Sequence, residues 1–165
     1  DVDLVFVGTM TDTWFDWDLL EALFAEGFSV RLVGRPPQRG KPLRAHNLDW
    51  AGVVPNEELR AVLATARVGI VPFRDLPLVH AVWPIKYADY LAAGLPTVAA
   101  YMPELEGADF CTVTYSQEDF IRACHSAKTE TLFTAREEIM LSAEQHTAAA
   151  RIAAVLPMLE EVGAW

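Results

Sequence analysis

The chain has 165 residues, of which 52% are apolar and 22% are charged, a composition typical of one globular domain and not of a disordered chain. Its 13 Lys and Arg against 23 Asp and Glu give a formal charge of −10, which argues against a nucleic-acid partner held by phosphate neutralisation. Two cysteines are too few for a disulfide framework or a cysteine metal cluster, and no run of about 18 apolar residues predicts a membrane span.

Short apolar runs alternate with segments of helical spacing along the first half of the chain. Strands are predicted over residues 4–7, 28–33 and 47–51. Between the first two strands, leucines at helical spacing predict a helix that Asp12 or Thr13 caps and that Gly27 ends. Residues 35–45 are rich in Pro, Gly, Arg and Lys and predict a loop, and Asn56 is the predicted cap of the next helix.

The second half continues the same alternation. Strands are predicted over residues 68–72, 96–100 and 111–114. A helix over residues 84–93 lies between the first two of these strands, and Gly94 ends it. Another helix begins at about Ser116, and the rest of the chain is predicted to be helical with breaks near Ser142 and Pro157.

Strand–helix alternation with strands that are apolar throughout predicts a parallel sheet covered on both faces. We expect an α/β fold: a single domain with a Rossmann-like, doubly wound parallel sheet of about six strands and helices on both faces. A ligand should lie outside the carboxyl ends of the strands. The chain has no initiator Met and opens on a strand, so we also expect a piece of a longer protein without a signal peptide.

The turn after the first strand limits the choice of ligand. A dinucleotide fingerprint needs three glycines there, and only Gly8 is present, which disfavours NAD. Thr9, Thr11 and Thr13 resemble the hydroxyl-rich phosphate loop of flavodoxins, although the carboxylate of Asp12 would repel a phosphate. A tight turn with a capping threonine is the alternative interpretation.

Arg35 follows the second strand and is a further candidate. Its guanidinium group is suited to a forked contact with a phosphate or a carboxylate. The alternative is a solvated loop cation, like Arg39, Lys41 and Arg44 beside it. Both interpretations stay open.

Other ring-bearing side chains carry weaker signals. His46, His125 and His146 lack a spacing suited to a metal, and we predict no metal site. Trp14 and Trp83 either flank the ligand cleft or pack in the core or at a contact with another lobe.

The helix that begins near Pro84 is the strongest feature. Its N-terminal amides should face the edge of the sheet, where their partial positive charge suits a phosphate. Lys86 lies in the first turn and adds a full charge, and Asp89 lies on the same face, placed to accept hydrogen bonds from a ribose diol. The alternative is an ordinary amphipathic helix with a solvated Lys–Asp pair.

The segment 83–98 is similar to the nucleotide-sugar motif of retaining GT-B glycosyltransferases, as is the preceding Val71-Pro72-Phe73-Arg74. The family pattern is roughly P-x-K-x-x-E-Y-L-A-x-G-x-P-V. The positions that match are Pro84, Lys86, Tyr90, Leu91, Ala92, Gly94, Pro96 and Val98. Residues 5–8, 28–34, 49–59 and 142–156 resemble further segments of the same lobe, so the resemblance covers nearly the whole chain. It implies the C-terminal, donor-binding lobe, similar to that of xanthan-type glucuronosyltransferases.

Two departures from the family pattern bear on the site. The first acid of the E-x7-E pair falls at Ala81, and the second is the shorter Asp89. The basic residues often found near the first strand are missing, so Arg35, Arg74 or His80 would substitute for them.

The resemblance implies that Lys86 and Arg74 stabilise the leaving diphosphate as catalytic groups. The implied binding residues are Gly8, Thr9, Arg35, Val53, Val54, His80, Ala81, Val82, Pro84, Ile85, Lys86 and Asp89. Within this set, the phosphates lie at the amides of residues 81–85, the ribose at Asp89, and the base against residues 52–54.

The function implied is transfer of a sugar from a nucleoside-diphosphate sugar, with UDP preferred over GDP, to an acceptor hydroxyl. No metal or other cofactor is expected. The partner is a missing N-terminal, acceptor-binding lobe; without it the chain should be inactive and expose a face for self-association. We further expect a cytoplasmic location, with peripheral membrane association through the missing lobe. The alternatives are a flavodoxin-like FMN-binding or electron-transfer domain and a non-catalytic scaffold lobe.

Overall fold

The structure, a computed structural model, describes residues 1–35, 45–130 and 136–147, together with residues 149, 150, 153 and 156. Arg39, Lys41, Arg44 and the predicted break at Pro157 lie outside the described residues. In the described part of the chain, no helix combines the length and the apolar character needed to cross a bilayer.

Six parallel strands form one sheet, in the order β3-β2-β1-β4-β5-β6. They are β1 (Val2–Val7), β2 (Val30–Val33), β3 (Leu48–Gly52), β4 (Ala66–Val71), β5 (Thr97–Ala100) and β6 (Cys111–Thr114). The order reverses between β1 and β4, as it does in a doubly wound Rossmann-like sheet, and this confirms the predicted fold class. A flavodoxin-like sheet has the order 2-1-3-4-5, so the flavodoxin-like alternative is wrong at the level of the fold.

The helices cover both faces of the sheet. Those whose bounds the structure describes are α1 (Trp17–Ala25), α2 (Asn56–Leu63), α3 (Pro77–His80), α4 (Ile85–Ala92), α5 (Gln117–Glu130) and α6 (Arg136–Ser142), with 3-10 turns at Pro103–Leu105 and Ala143–His146. On one face α4 packs against α2 and α6. On the other, His125 of α5 packs against Phe28, which directly follows α1 and its terminal turn. The central strands are buried between these layers and carry apolar residues on both sides, so they form continuous apolar runs in the sequence.

Three local predictions need correction. Asp16, not Asp12 or Thr13, caps α1, because its Oδ1 accepts a hydrogen bond from the Leu19 amide at 3.0 Å. The chain before it is held by an antiparallel bridge between Phe15 and Phe73, so the helix begins later than a cap at Asp12 or Thr13 implies. Asn56 is the first residue of α2 and not its cap.

Helix α3 was not predicted, since four residues are too few to show helical periodicity. Its first residue, Pro77, is the one sequence signal that marks it. The predicted break near Ser142 is confirmed, because α6 ends there and a 3-10 turn follows.

Tyr90 of α4 joins the two strands at the point where the strand order reverses. Its buried hydroxyl donates to the Ile70 carbonyl at 3.0 Å and accepts from the Val7 amide at 3.2 Å. Gly69 of β4 makes room for the ring, because a Cβ at that position would overlap it. Regular pairing of β1 with β4 ends at Val5 and Gly69, so the Tyr90 hydroxyl bridges the strands where they separate. This separation opens the crevice in which ligands of such folds bind.

Candidate functional site

Three glycines form the edge of the sheet at the carboxyl ends of β1, β2 and β3. The Gly8 amide donates to Val33 O at 2.9 Å, and the Gly34 amide donates to Gly52 O at 2.7 Å. Gly34 has φ of +139° and packs so closely on Gly8 that a Cβ on it would overlap the Gly8 carbonyl oxygen. The edge is therefore bare backbone, which a ligand can approach closely.

Lys86 enters this edge from the first turn of α4. Burial of Tyr87, Tyr90 and Leu91 against the sheet fixes the orientation of the helix and leaves Lys86 on the side that faces β1. Its Cε lies 3.5 Å from where a Cβ of Gly8 would stand. The Nζ atom lies 4.6 Å from the ring centre of Phe73 and 5.6 Å from that of Phe6, within the range of cation–π attraction.

The charge of Lys86 is poorly solvated. Burial lowers its pKa to about 8, while the nearby charge of Asp89 opposes that shift. Burial also raises the pKa of half-buried Asp89, and Lys86 opposes that shift in turn. A cation in this state gains by pairing with an anion.

A cleft of about 390 Å³ opens beside Lys86. Its lining residues are Thr9, Trp14, Phe73, Leu78, Val79, Val82, Lys86 and Met102. The structure thus brings together Gly8, Thr9, Lys86 and Val82 of the predicted set. Phe73, Met102, Leu78 and Val79 were not predicted as site residues, although Phe73 lies within the matched Val71-Pro72-Phe73-Arg74 segment.

Arg74 does not line that cleft. Its Nη1 donates to the Asp12 carbonyl oxygen at 3.1 Å, and its backbone amide donates to Trp14 O at 2.8 Å. His80 is also engaged elsewhere: its Nε2 lies 2.6 Å from Asp75 Oδ1, and its ring packs edge-on against Tyr101.

The remaining predicted residues lie around the same edge. Val53 is exposed and Val54 half-buried, directly after Gly52, and Arg35 is exposed directly after Gly34. Ala81 and Val82 both direct their amides to the Val79 carbonyl, in the turn after α3. Pro84 is buried as the N-cap of α4, and Ile85 is exposed as its first residue. The Tyr87 amide donates to the Pro84 carbonyl at 2.9 Å, so the first-turn amides that lack an intrahelical acceptor are those of Ile85 and Lys86.

The two candidate tryptophans have different surroundings. Trp14 lines the cleft, whereas Trp83 packs against the rings of Tyr87 and His146. No three His, Cys, Asp or Glu side chains of the described residues come together as a metal site.

A family model described as "Glycosyl transferases group 1" matches residues 1–129. TuaH of Bacillus subtilis (strain 168), named as a glycosyltransferase of teichuronic acid biosynthesis, is 32% identical over 87 residues, which cover 50% of this chain and 22% of TuaH. The chain thus matches less than a quarter of the length of this relative.

Solved structures share the fold at low identity. AviGT4, a glycosyltransferase involved in avilamycin A biosynthesis, is similar over 96% of this chain and 50% of its own, with a TM-score of 0.66 at 16% identity. HepE of Anabaena in complex with UDP-glucose is similar over 98% of this chain and 49% of its own, with a TM-score of 0.67 at 12% identity. The chain therefore spans about half the length of each of these structures.

Proposed function

The chain belongs to the family of glycosyl transferases group 1, and on that premise we propose that it is the lobe that binds the nucleotide-sugar donor. The observation that carries the proposal is the position of Lys86, a poorly solvated cation at the carboxyl edge of β1 and β4, beside the bare backbone of Gly8. This is the crevice at which doubly wound sheets bind nucleotides.

In the proposed reaction the bond between the anomeric carbon of the sugar and the diphosphate breaks, the oxygen of an acceptor hydroxyl forms a new bond to that carbon, and the proton of the hydroxyl leaves to a general base. Negative charge then develops on the leaving diphosphate. We assign its stabilisation to the Lys86 ammonium and the first-turn amides of α4, a role for which no metal is needed. Arg74 joins them when its guanidinium exchanges the Asp12 carbonyl for the diphosphate.

We place the nucleoside along the glycine edge, with the base against residues 52–54 and the ribose diol at Asp89. The pairing of Gly8, Gly34 and Gly52 supports this path, since their backbones form one continuous rim. UDP is the nucleotide we propose over GDP, supported by the UDP-glucose complex of the structurally similar HepE. The acceptor site and any general base belong to a further lobe, so the isolated chain should bind the donor without transferring its sugar.

The direct test is calorimetric titration of the chain with UDP, GDP and their sugars. The proposal predicts saturable binding of a nucleoside diphosphate, tighter for UDP than for GDP. Absence of binding to both nucleotides would instead support the non-catalytic scaffold lobe.

Replacing Asp89 by Ala tests the ribose position. We expect nucleoside diphosphate binding to weaken by about 1–3 kcal/mol, the range for losing a charged hydrogen bond. Binding of inorganic pyrophosphate, which has no ribose, should not weaken. The Asp119→Ala change on α5 is the matched control, because Asp119 is also half-buried and also lies three residues from a cation, Arg122. Equal UDP affinity in Asp89→Ala and wild type would place the ribose elsewhere.

A further inference from the structure

The cleft beside Lys86 has little capacity for hydrogen bonds. Of its eight lining side chains, six are apolar or aromatic, and only Thr9 and Lys86 carry a hydroxyl or an ammonium group. Among the described residues, no carboxylate or amide side chain lines it. Residue 81, in the adjoining turn, is alanine.

The polar and apolar parts of this lining come from different elements. Thr9 follows Gly8, and Lys86 packs on Gly8, so both polar groups adjoin the turn after β1. Leu78 and Val79 belong to α3, Val82 follows it, and Met102 follows β5. A ligand with its diphosphate at Lys86 would thus place its next group against the aliphatic wall of α3.

The size of the cleft restricts what that group is. About 390 Å³ lies near the lower end of the roughly 300–1,000 Å³ typical of small-molecule pockets. That volume suits a single sugar ring next to a phosphate and is too small for a long lipid chain. Because a hydroxyl buried against aliphatic carbon loses its hydrogen bonds to water without replacement, the wall favours a sugar that carries a methyl group there.

Resting on the proposed function, we propose that the donor sugar is a 6-deoxyhexose, whose methyl group packs on the wall formed by Leu78, Val79 and Val82. An apolar wall discriminates only moderately against an added hydroxyl, by up to about a hundredfold in closed pockets. In this open cleft we expect the 6-deoxy sugar to bind about tenfold more tightly than the sugar with the added hydroxyl.

The test compares donors that differ in one hydroxyl. Calorimetric titration of the chain with UDP-glucose and UDP-6-deoxyglucose, and with GDP-mannose and GDP-6-deoxymannose, should show about tenfold tighter binding of the deoxy member in the pair whose nucleotide binds. Equal affinity, or tighter binding of the hydroxylated sugar, would overturn the inference while UDP or GDP binding still supports the donor lobe. If neither nucleotide binds, both the donor lobe and the sugar inference are overturned.

Two exposed leucines give a matched pair of variants. Leu78 is 56% exposed in the cleft and Leu141 is 67% exposed on α6, so neither change to Asn should disturb the core. Leu78→Asn should narrow or reverse the preference for the deoxy sugar while leaving affinity for the free nucleotide unchanged. Leu141→Asn should keep the wild-type preference. A preference that survives Leu78→Asn would contradict the assignment of the wall.

Discussion

Replacing Lys86 by Gln should weaken nucleoside diphosphate binding about ten- to hundredfold, the loss of about 1.5–3 kcal/mol expected for hydrogen bonds to a charged group. The Lys86 side chain lies against Gly8, and the neighbouring rings of Phe6 and Phe73 carry no charge that could replace the ammonium as the partner of a phosphate. Titration calorimetry of the variant with UDP measures the loss directly.

Lys128→Gln is the matched control for Lys86→Gln. Lys128 pairs with Asp3 at 2.7 Å, at the opposite end of β1, so its loss changes the net charge equally without touching the edge. An equal loss of affinity in the two variants would assign the effect to net charge and not to a site.

Lys86 should not be needed for the stability of the unliganded protein. Its pKa of about 8 in the folded state lies below the roughly 10.4 of an unfolded lysine, so the protonated form is penalised by folding. That penalty is fully present below pH 8 and is relieved as the pH rises towards the unfolded pKa. Lys86→Gln should therefore bind less nucleotide without unfolding more easily in urea at neutral pH.

Replacing Gly34 by Ala should lower the free energy of unfolding by about 3 kcal/mol or more, the sum of backbone strain and overpacking. The residue has φ of +139°, and the added Cβ would overlap the Gly8 carbonyl oxygen. The backbone at Gly8 and at Gly34 cannot move apart easily, because the Gly8 amide donates to Val33 O and the Gly34 amide donates to Gly52 O. Urea unfolding followed by circular dichroism measures the loss.

The Gly27→Ala variant separates backbone strain from overpacking, the two effects that are combined in Gly34→Ala. Gly27 also has a positive φ, +86°, but no described atom lies within 4 Å of where its Cβ would stand. We expect it to cost only about 1–2 kcal/mol of backbone strain. Equal losses in the two variants would mean that Gly8 and Gly34 are not in close contact.

Much of the fold could be predicted from the sequence because the central strands are buried on both faces. Burial of β1 and β4 forces apolar residues at successive positions, and such runs are visible without any structure. The start of α1 could not be predicted in the same way. The bridge between Phe15 and Phe73 delays it, and that contact joins residues far apart in sequence.

In the candidate site, too, some features could be predicted from local sequence and others depend on contacts between distant residues. Lys86 lies in the first turn of a helix that follows a buried strand, so a position near the edge of the sheet could be predicted for it from local sequence. Its packing against the rings of Phe6 and Phe73 could not, because those rings come from other elements.

The partners of Arg74 and His80 could not be predicted from local sequence. Arg74 donates to the Asp12 carbonyl and His80 pairs with the Asp75 carboxylate, and the folding of the loops decides both contacts. The aliphatic wall of the cleft was missed because α3 is too short to show a pattern.

The central claim is that Lys86 binds the diphosphate at the carboxyl edge of the sheet, and the pH dependence of UDP affinity tests it most directly. Burial sets the pKa of free Lys86 at about 8, and a bound diphosphate favours the ammonium form and raises that pKa. The phosphates stay fully ionised above neutral pH, since their last pKa is about 6. Affinity should thus be constant between about pH 7 and pH 8 and fall by up to about tenfold per pH unit above pH 8, whereas Lys86→Arg, which does not titrate there, should give a flat profile over the same range. Identical profiles for wild type and Lys86→Arg would contradict the claim.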